Sequence, residues 1–165
     1  MFAIILRIED KYTGINCWDW LVCLLFNIED CLAFVTNRSG KVFAEALEKE
    51  FRPYHITRSQ WIAMYYIYIH ESITQRELAE KMSIKEPSVV RLLQKLEFDG
   101  FLYRSATNAD KRVKQLELSD KGVKVCLDLM PIAEKFKNDT IAGISKDDLE
   151  TFKHVLSIMV ENTIK

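Results

Sequence analysis

The stretch from Thr74 to Gly122 constrains the fold more than any other part of the sequence. Thr74 and Glu77 have the spacing of a capping box, which predicts a helix start because each residue can satisfy an amide that the helix leaves unpaired. Pro87 suits the first turn of a second helix, since the N–H that proline lacks is not needed there. Gly100 suits the position just after the end of that helix. The spacing therefore predicts two short helices joined by a tight turn.

Two alternating segments follow these helices and predict a hairpin. Residues 101–104 form one strand in this interpretation and residues 113–118 the other, in which Leu116 and Leu118 alternate with polar residues. Residues 105–112 are polar and form the tip. A helix-turn-helix followed by such a hairpin is a winged helix, in which the second helix enters the DNA major groove and the wing reaches the adjacent minor groove.

The second helix has two chemically different faces. Its apolar residues recur at the spacing of a buried stripe, which consists of Val89, Leu92, Leu93 and Leu96. Arginine and glutamine can read purine edges, serine and lysine can hold phosphates, and valine can contact a thymine methyl group. We therefore predict a DNA-binding face that comprises Pro87, Ser88, Val90, Arg91, Gln94 and Lys95. A helix face that is simply solvated would show the same pattern.

The wing segment resembles a signature of the MarR family of bacterial transcriptional regulators. The signature, D-x-R…L-[ST]-x-x-G, is matched by Asp110-Lys111-Arg112, Leu116, Leu118-Ser119 and Gly122. Residues 87–91 are similar to the start of the family's recognition helix, and Leu96-Glu97 with Gly100 is similar to its end. Two positions depart from the family: Ser83 stands where many members carry glycine, and Ser119 replaces the more usual threonine.

This resemblance covers residues 28–165 and implies how such a protein works. It implies a homodimer that binds a pseudo-palindromic double-stranded DNA operator as a repressor and is released by a small aromatic or phenolic effector. It also implies that Arg112 inserts from the wing tip into the minor groove, where Asp110 holds it. We expect Lys111 and Lys114 to contact phosphates.

The chain outside the winged helix is expected to be helical. Residues 28–56 and 123–165 are predicted to form a helical dimerisation region, and residues 57–122 the winged helix-turn-helix region. The fold class is therefore mainly α with a small β-hairpin wing. Residues 1–27 precede the part that resembles the family and form an N-terminal extension of uncertain role.

The last helix carries a stripe that predicts a partner. Ser119 and Ser145 are suited to cap the last two helices of the chain. In the final helix, residues at nearly heptad steps share one face and predict packing against another helix. They are Leu149, Phe152, Leu156, Met159 and Thr163.

An effector pocket is implied on the helix that begins after Thr57, where Thr57 and Gln60 have the spacing of a capping box. Aromatic residues cluster along this helix, and a ligand pocket or a plain hydrophobic core could use the same cluster. The candidate pocket residues are His55, Trp61, Tyr65, Tyr66 and Tyr68.

Cys31 is a candidate redox sensor. It lies near the start of the first helix, as does the sensing thiol in the organic-hydroperoxide branch of MarR-like repressors. That branch uses two tyrosines to polarise the thiol, and Leu47 and Arg58 fall where those tyrosines would be. A buried structural cysteine is therefore the alternative to an oxidation-sensing regulator.

Composition and charge limit the other classes of function. The net charge of −1 argues against a non-specific polyanion binder, and the ten basic and eight acidic residues of 74–122 give only +2, so recognition depends on a local face. The four cysteines lack disulfide or metal-ligand spacing, which predicts reduced thiols in a cytoplasmic protein without a metal. No motif for catalysis or cofactor binding occurs, and the apolar run 20–26 is too short to span a membrane. A winged-helix protein-interaction module remains an alternative.

Overall fold

The computed structural model describes residues 26–70, 72–106 and 114–164, with the backbone alone for residues 105, 106 and 114. These residues form helices α1 to α6 and a two-stranded antiparallel sheet, in an order that confirms the predicted fold class. The helices and strands are α1 (Leu32–Phe51), α2 (Arg58–Ile69), α3 (Gln75–Met82), α4 (Glu86–Phe98), β1 (Leu102–Ala106), β2 (Lys114–Leu118), α5 (Asp120–Thr140) and α6 (Lys146–Glu161). Short 3₁₀ helices occupy Ile28–Asp30 and Arg52–Tyr54.

The chain divides into two compact units, Met1–Glu45 and Ala46–Lys165. In the described part of the first unit, Asn27 caps the 3₁₀ helix by accepting a hydrogen bond from the amide of Glu29 (3.1 Å). Arg38 forms an ion pair with Glu29 at 2.9 Å. None of the described side chains of this unit is buried, although several are large and apolar.

The core of the second unit lies where α2 packs against α3, α4, α5 and β2. Fully buried apolar side chains come from each of these five elements, for example Met64, Leu78, Leu93, Leu116 and Leu129. The helices α3 and α4 also pack directly against each other, and β1 packs against α4. This core supports the helix-turn-helix from behind and leaves the outer face of α4 in solvent.

Side-chain caps fix the starts of four helices, as the sequence predicts. Thr57, Thr74, Ser119 and Ser145 each accept a hydrogen bond from the amide three residues later. At α2 and α3 the capping box is complete, because the third residue also accepts from the amide of the threonine.

The end of α4 explains why the first strand begins one residue later than predicted. Gly100 has φ +74° and donates its amide to the carbonyl of Glu97 (3.0 Å), while Phe101 donates to the carbonyl of Leu96 (2.8 Å). These two bonds are a Schellman motif, which closes the helix and uses the amide of Phe101. The sheet therefore starts at Leu102, which pairs with Leu118.

The residues of α2 are apolar nearly all round the helix, which predicts burial on every side, and this prediction is wrong at the C-terminal end. Tyr68 and Ile69 are exposed, whereas Ala63, Met64 and Ile67 are buried. The last turn of α2 therefore presents two large apolar side chains to solvent. The helix ends at Ile69 and His70 follows it in an extended conformation.

Candidate nucleic-acid interface

The turn between α3 and α4 sets the direction of the second helix. Ser83 adopts a left-handed conformation with φ +52°, which residues other than glycine rarely take. Its amide donates to the carbonyl of Glu80 (3.1 Å), and the amide of Ile84 donates to the carbonyl of Ala79 (3.1 Å). Serine thus fills a position for which glycine would be less strained, and the turn is still closed by two backbone bonds.

The two faces of α4 are separated as the periodicity predicts. Val89, Leu93 and Leu96 have no exposed surface, and Leu92 is half-buried. Of the six predicted DNA-binding residues on this helix, five are exposed and one is half-buried. The exposed five are Pro87, Ser88, Arg91, Gln94 and Lys95, and the half-buried one is Val90. The geometry therefore provides a continuous outer face, and contact of these residues with DNA stays a prediction.

Lys95 has charged and aromatic neighbours at the end of α4. Its Nζ lies 2.9 Å from Oδ1 of Asp99 and 5.4 Å from the centre of the Phe98 ring. Because the lysine side chain is 59% exposed, water screens this ion pair and the ammonium can turn to another partner at small cost. Lys95 is thus free to reach a phosphate.

The start of α5 clamps the junction between α4 and β1. The hydroxyl of Ser119 donates to the carbonyl of Gly100 (2.7 Å), and its amide donates to the carbonyl of Phe101 (3.0 Å). A Cβ atom at Gly122 would lie 2.0 Å from that carbonyl oxygen of Phe101, a distance that leaves no room for a side chain. The glycine of the wing signature is therefore required by close backbone packing.

Lys121 strengthens the same junction and was not singled out from the sequence. Its Nζ donates to the carbonyl of Asp99 (2.7 Å) and lies 4.4 Å from the centre of the Phe101 ring. This is the position where a helix C-terminus carries partial negative charge, so a cation is favourable there. Its place inside the wing signature was the only sequence signal.

The wing is described for its two strands. Ala106 pairs with Lys114 and Leu102 with Leu118, which confirms the hairpin. The predicted tip residues Asp110, Lys111 and Arg112 lie outside the described residues, and for Lys114 the backbone alone is described. Their contacts with DNA stay predictions.

Three of the predicted pocket residues form a stack of aromatic rings. Trp61 and Tyr65 stack at 5.6 Å between ring centres, Tyr65 meets Tyr66 at 5.9 Å, and the indole N–H of Trp61 donates to the carbonyl of Cys126 (3.2 Å). These three rings are partly buried against the core, while Tyr68 is exposed.

His55 lies apart from this stack, on a cavity of about 600 Å³. The cavity is lined on one side by residues before and at the start of α2, and on the other by the end of α4 and the start of α5. Its lining includes Tyr54, Leu92, Lys95, Phe101 and Lys121. A ligand in this cavity would touch the predicted DNA-binding helix directly.

The two described cysteines differ in their surroundings. Cys31 is half-buried and is followed immediately by α1. Cys126 is buried, and this burial raises the pKa of its thiol to about 11, which leaves little of the reactive thiolate at neutral pH. Cys126 is thus a core residue, and Cys31 has the greater access to solvent.

The described part of the chain contains neither of two other kinds of feature, a metal-ligand cluster and a membrane-spanning helix. Among these residues, histidine, cysteine, aspartate and glutamate form no cluster of three or more that could hold a metal ion. None of the described helices combines the length and the apolarity needed to cross a membrane.

Comparison with known proteins gives one family and one fold. Residues 56–114 match the model of the MarR family. The chain is similar to S. aureus MepR in a DNA complex, with a TM-score of 0.75 and 22% identity over 79% of this chain and 97% of that chain. It is also similar to a mutant of E. coli MarR complexed with operator DNA, with a TM-score of 0.74 and 21% identity over 82% and 97% of the two chains.

A third similar structure contains a small ligand. CouR from Rhodococcus jostii RHA1 bound to p-coumaroyl-CoA has a TM-score of 0.72 and 19% identity over 81% of this chain and 94% of that chain. The three TM-scores establish a common fold, and the contacts that MepR, MarR and CouR make are properties of those proteins.

Proposed function

We propose that this chain is a transcriptional regulator of the MarR family, whose model residues 56–114 match, and that it represses transcription as a homodimer on a pseudo-palindromic operator. In this role α4 is the recognition helix, and the hairpin β1–β2 is the wing. Residues 57–122 act as the DNA-binding region, and residues 28–56 with 123–165 act as the dimerisation region. Residues 1–27 are an extension to which the proposal assigns no role.

One observation carries the DNA-binding part of the proposal. The face of α4 opposite the core is exposed and presents a serine, an arginine, a glutamine and a lysine, all able to contact bases or phosphates. Arg91 and Gln94 are the proposed base readers, and Ser88 and Lys95 the positioning groups. MepR and a mutant of MarR have a similar fold and were solved in complex with DNA, which supports DNA binding here.

The last helix supports the homodimer. None of the side chains of α6 is buried, even the large apolar ones: Phe152 is 55% exposed, Ile158 43% and Val160 56%. Apolar surface of this extent on a helix of 16 residues is typical of an interface with another chain. A twofold dimer would present two recognition helices about one DNA turn apart, which requires an operator with two related half-sites.

The wing supplies the second DNA contact in this proposal. Arg112 enters the minor groove and is held by Asp110, while Lys111 and Lys114 contact phosphates. The resemblance to the MarR wing signature supports these roles. Loss of one phosphate contact should reduce the slope of log affinity against log salt by about one unit.

A matched pair of lysines tests the DNA-binding face. Lys95 and Lys124 each form an ion pair with an aspartate four residues later on a helix surface, but only Lys95 lies on the proposed face. Fluorescence anisotropy with the DNA upstream of the protein's own gene should show weaker binding and a smaller salt slope for Lys95→Ala. Lys124→Ala should bind like the wild type.

Arg91→Ala tests base reading in the same assay. It should reduce the difference between operator and scrambled DNA by about 1–3 kcal/mol, as expected for one bidentate base contact. Equal binding of both DNAs by the wild type, or no binding at all, would contradict operator recognition. Binding without salt dependence is not expected of a DNA-binding face, and absence of binding would favour the protein-interaction module.

An effector is the second part of the proposal. The cavity lined by His55 also contains Lys95, Lys121 and Asp99, so a small aromatic or phenolic acid bound there would find apolar walls and two cations, one of which it would share with the Asp99 carboxylate. Such a ligand releases DNA only if it binds the DNA-free protein more tightly than the DNA-bound protein. Competition with 4-hydroxybenzoate in the anisotropy assay, with His55→Ala as the control, tests this cavity. The stack of Trp61, Tyr65 and Tyr66, together with Tyr68, is the second region for such a ligand.

Cys31 supports an alternative input. Its half-buried position leaves the thiol partly accessible, and oxidation of this thiol could replace a small ligand as the signal. A peroxide pulse before the anisotropy measurement should release DNA from the wild type and not from Cys31→Ser if this input operates. Unchanged binding after peroxide would leave Cys31 as a structural residue.

A further inference from the structure

One ion pair joins the proposed recognition helix to the wing. Nε of Arg104 on β1 lies 3.0 Å from Oε2 of Glu97 on α4. Six other ion pairs between described side chains of the second unit link residues three or four apart. In five of them both partners belong to the same helix, and the sixth joins Lys95 to Asp99, the cap of α4. The Glu97–Arg104 pair therefore differs in kind, because it connects two elements that would contact DNA separately.

The pairing of the hairpin explains why Arg104 points inward. Arg104 is opposite Leu116 in the sheet, and it alternates with Tyr103 along β1. Leu116 is buried and Tyr103 is 61% exposed, so Arg104 occupies the inner face of the hairpin. Its side chain is only 13% exposed, while that of Glu97 is 46% exposed. The guanidinium is thus held between the hairpin and α4.

Glu97 supplies a counter-charge to the buried guanidinium. Within the described part of the chain, Nη2 of Arg104 is buried without a hydrogen bond, and Nε lies 3.0 Å from Oε2 of Glu97 but is not aligned for a hydrogen bond. A buried cation with unsatisfied donors is costly, and loss of its counter-charge is costlier still. Removal of the Glu97 carboxylate should therefore disturb this arrangement.

We propose that Glu97 and Arg104 are positioning residues that fix the orientation of the wing relative to the recognition helix. The Schellman motif and the Ser119 hydroxyl hold the junction at Gly100, and the amide of Leu116 on β2 donates to the carbonyl of Ile73 (3.3 Å). The ion pair adds a direct side-chain attachment between α4 and β1, located before the end of α4 and beyond the start of β1. Together these attachments define the angle, so helix and wing reach their two grooves together.

A double-mutant cycle tests this role, which rests on the proposed DNA binding. In Glu97→Gln, the wing should no longer be held at the correct angle, so Arg112→Ala should lose less affinity than it does in the wild type. The reduction should be about tenfold, the size found for coupled sites. Arg91→Ala on α4 should keep its full effect in both backgrounds. Asp128→Asn, which breaks the ordinary ion pair with Lys124, should leave the effect of Arg112→Ala unchanged.

Glu97→Gln is preferred to Arg104→Met as the first variant because Glu97 is half exposed, and thermal melting checks that both variants fold. An unchanged effect of Arg112→Ala in Glu97→Gln would overturn the inference. If Glu97→Gln reduced the effects of Arg91→Ala and Arg112→Ala on affinity equally, this would also overturn the inference, since equal reductions would indicate a general loss of structure.

Hydrogen exchange separates this inference from the proposed function, because it requires no DNA. In Glu97→Gln, the amides of the hairpin should exchange faster, while that of Leu93 in the middle of α4 should not change. Faster hairpin exchange in a protein that fails to bind DNA would uphold the positioning role and refute the proposed function. Hairpin exchange that does not change would refute the positioning role, whatever the DNA result.

Discussion

The winged-helix region and the last helix differ in how they satisfy their apolar residues. In the winged-helix region, side chains from α2, α3, α4 and the hairpin share one core, and Leu78, Leu93 and Leu96 have no exposed surface. In α6 no side chain is buried, and Phe152 is 55% exposed. Both regions are amphipathic in sequence, yet within residues 26–70, 72–106 and 114–164 only the winged-helix region finds a partner that buries its apolar side chains.

The two regions therefore depend on different interactions. The winged-helix region should be stabilised by its own core and should report substitutions as changes in the free energy of unfolding. The helix α6 should report them as changes in association between chains.

The largest effect is expected in the shared core. Leu93→Ala removes a fully buried side chain behind the recognition helix, which should lower the free energy of unfolding by about 2–5 kcal/mol. Phe152→Ala removes a larger side chain from α6 and should change the unfolding of a dilute sample far less. Urea unfolding measures the loss in the free energy of unfolding for both variants. Equal losses would contradict the proposed difference between the two regions.

A smaller loss is expected at the junction of α5 with β1. Gly122→Ala places a Cβ atom 2.0 Å from the carbonyl oxygen of Phe101, so the backbone must shift at a cost of about 1–3 kcal/mol. Gly40→Ala is the control within α1, where a Cβ atom meets nothing within 4 Å. That substitution should stabilise the helix by about 0.5–1 kcal/mol. Thermal unfolding of the two variants should therefore shift in opposite directions.

The smallest effect is expected at the start of α3. Thr74→Ala removes a cap and should cost about 1 kcal/mol. The hydrogen bond from the backbone amide of Thr74, together with that from its hydroxyl, lowers the pKa of Glu77 below its ordinary value of 4.5.

The pH dependence of this cap follows from the direction of the shift. A lowered pKa in the folded state means that the contribution of Glu77 is complete above pH 4.5 and is lost as the pH falls through the folded value. Wild type and Glu77→Gln should therefore differ most near neutral pH and converge in acid. Thermal melts over this range would exclude the proposed cap if the difference stayed constant.

Local patterns made most of the fold predictable from the sequence. The caps at Thr57 and Thr74, the two faces of α4 and the end of α4 at Gly100 all follow from residues within one or two helical turns. The structure confirms each of them because local hydrogen bonds determine these features.

Features that depend on packing between distant segments were not predictable. The exposed end of α2 at Tyr68 and Ile69 depends on which neighbours reach it. The inward position of Arg104 depends on the register of the hairpin, since an arginine on a strand is usually expected to face solvent. Gly122 was identified from the sequence only by its place in the wing signature. The physical reason for a glycine there is the close approach of the Phe101 backbone, which lies far from it in sequence.

The candidate site shows the same division between local and distant information. The outer face of α4 could be read from periodicity, and its exposure is as expected. Spacing alone did not indicate that His55 lines a cavity beside the end of α4, because its place depends on the left-handed turn at this residue.

Sedimentation of the protein with a fluorescent duplex from upstream of its own gene tests whether two chains bind the operator together. Wild type should sediment as a dimer and should bind the duplex as two chains. Phe152→Asp introduces a charge into the exposed apolar face of α6, so it should sediment as a folded monomer with weak binding. His154→Asp places the same charge outside the apolar stripe and should behave as the wild type does. A wild-type monomer that binds the duplex tightly as one chain would contradict the claim that two recognition helices act together.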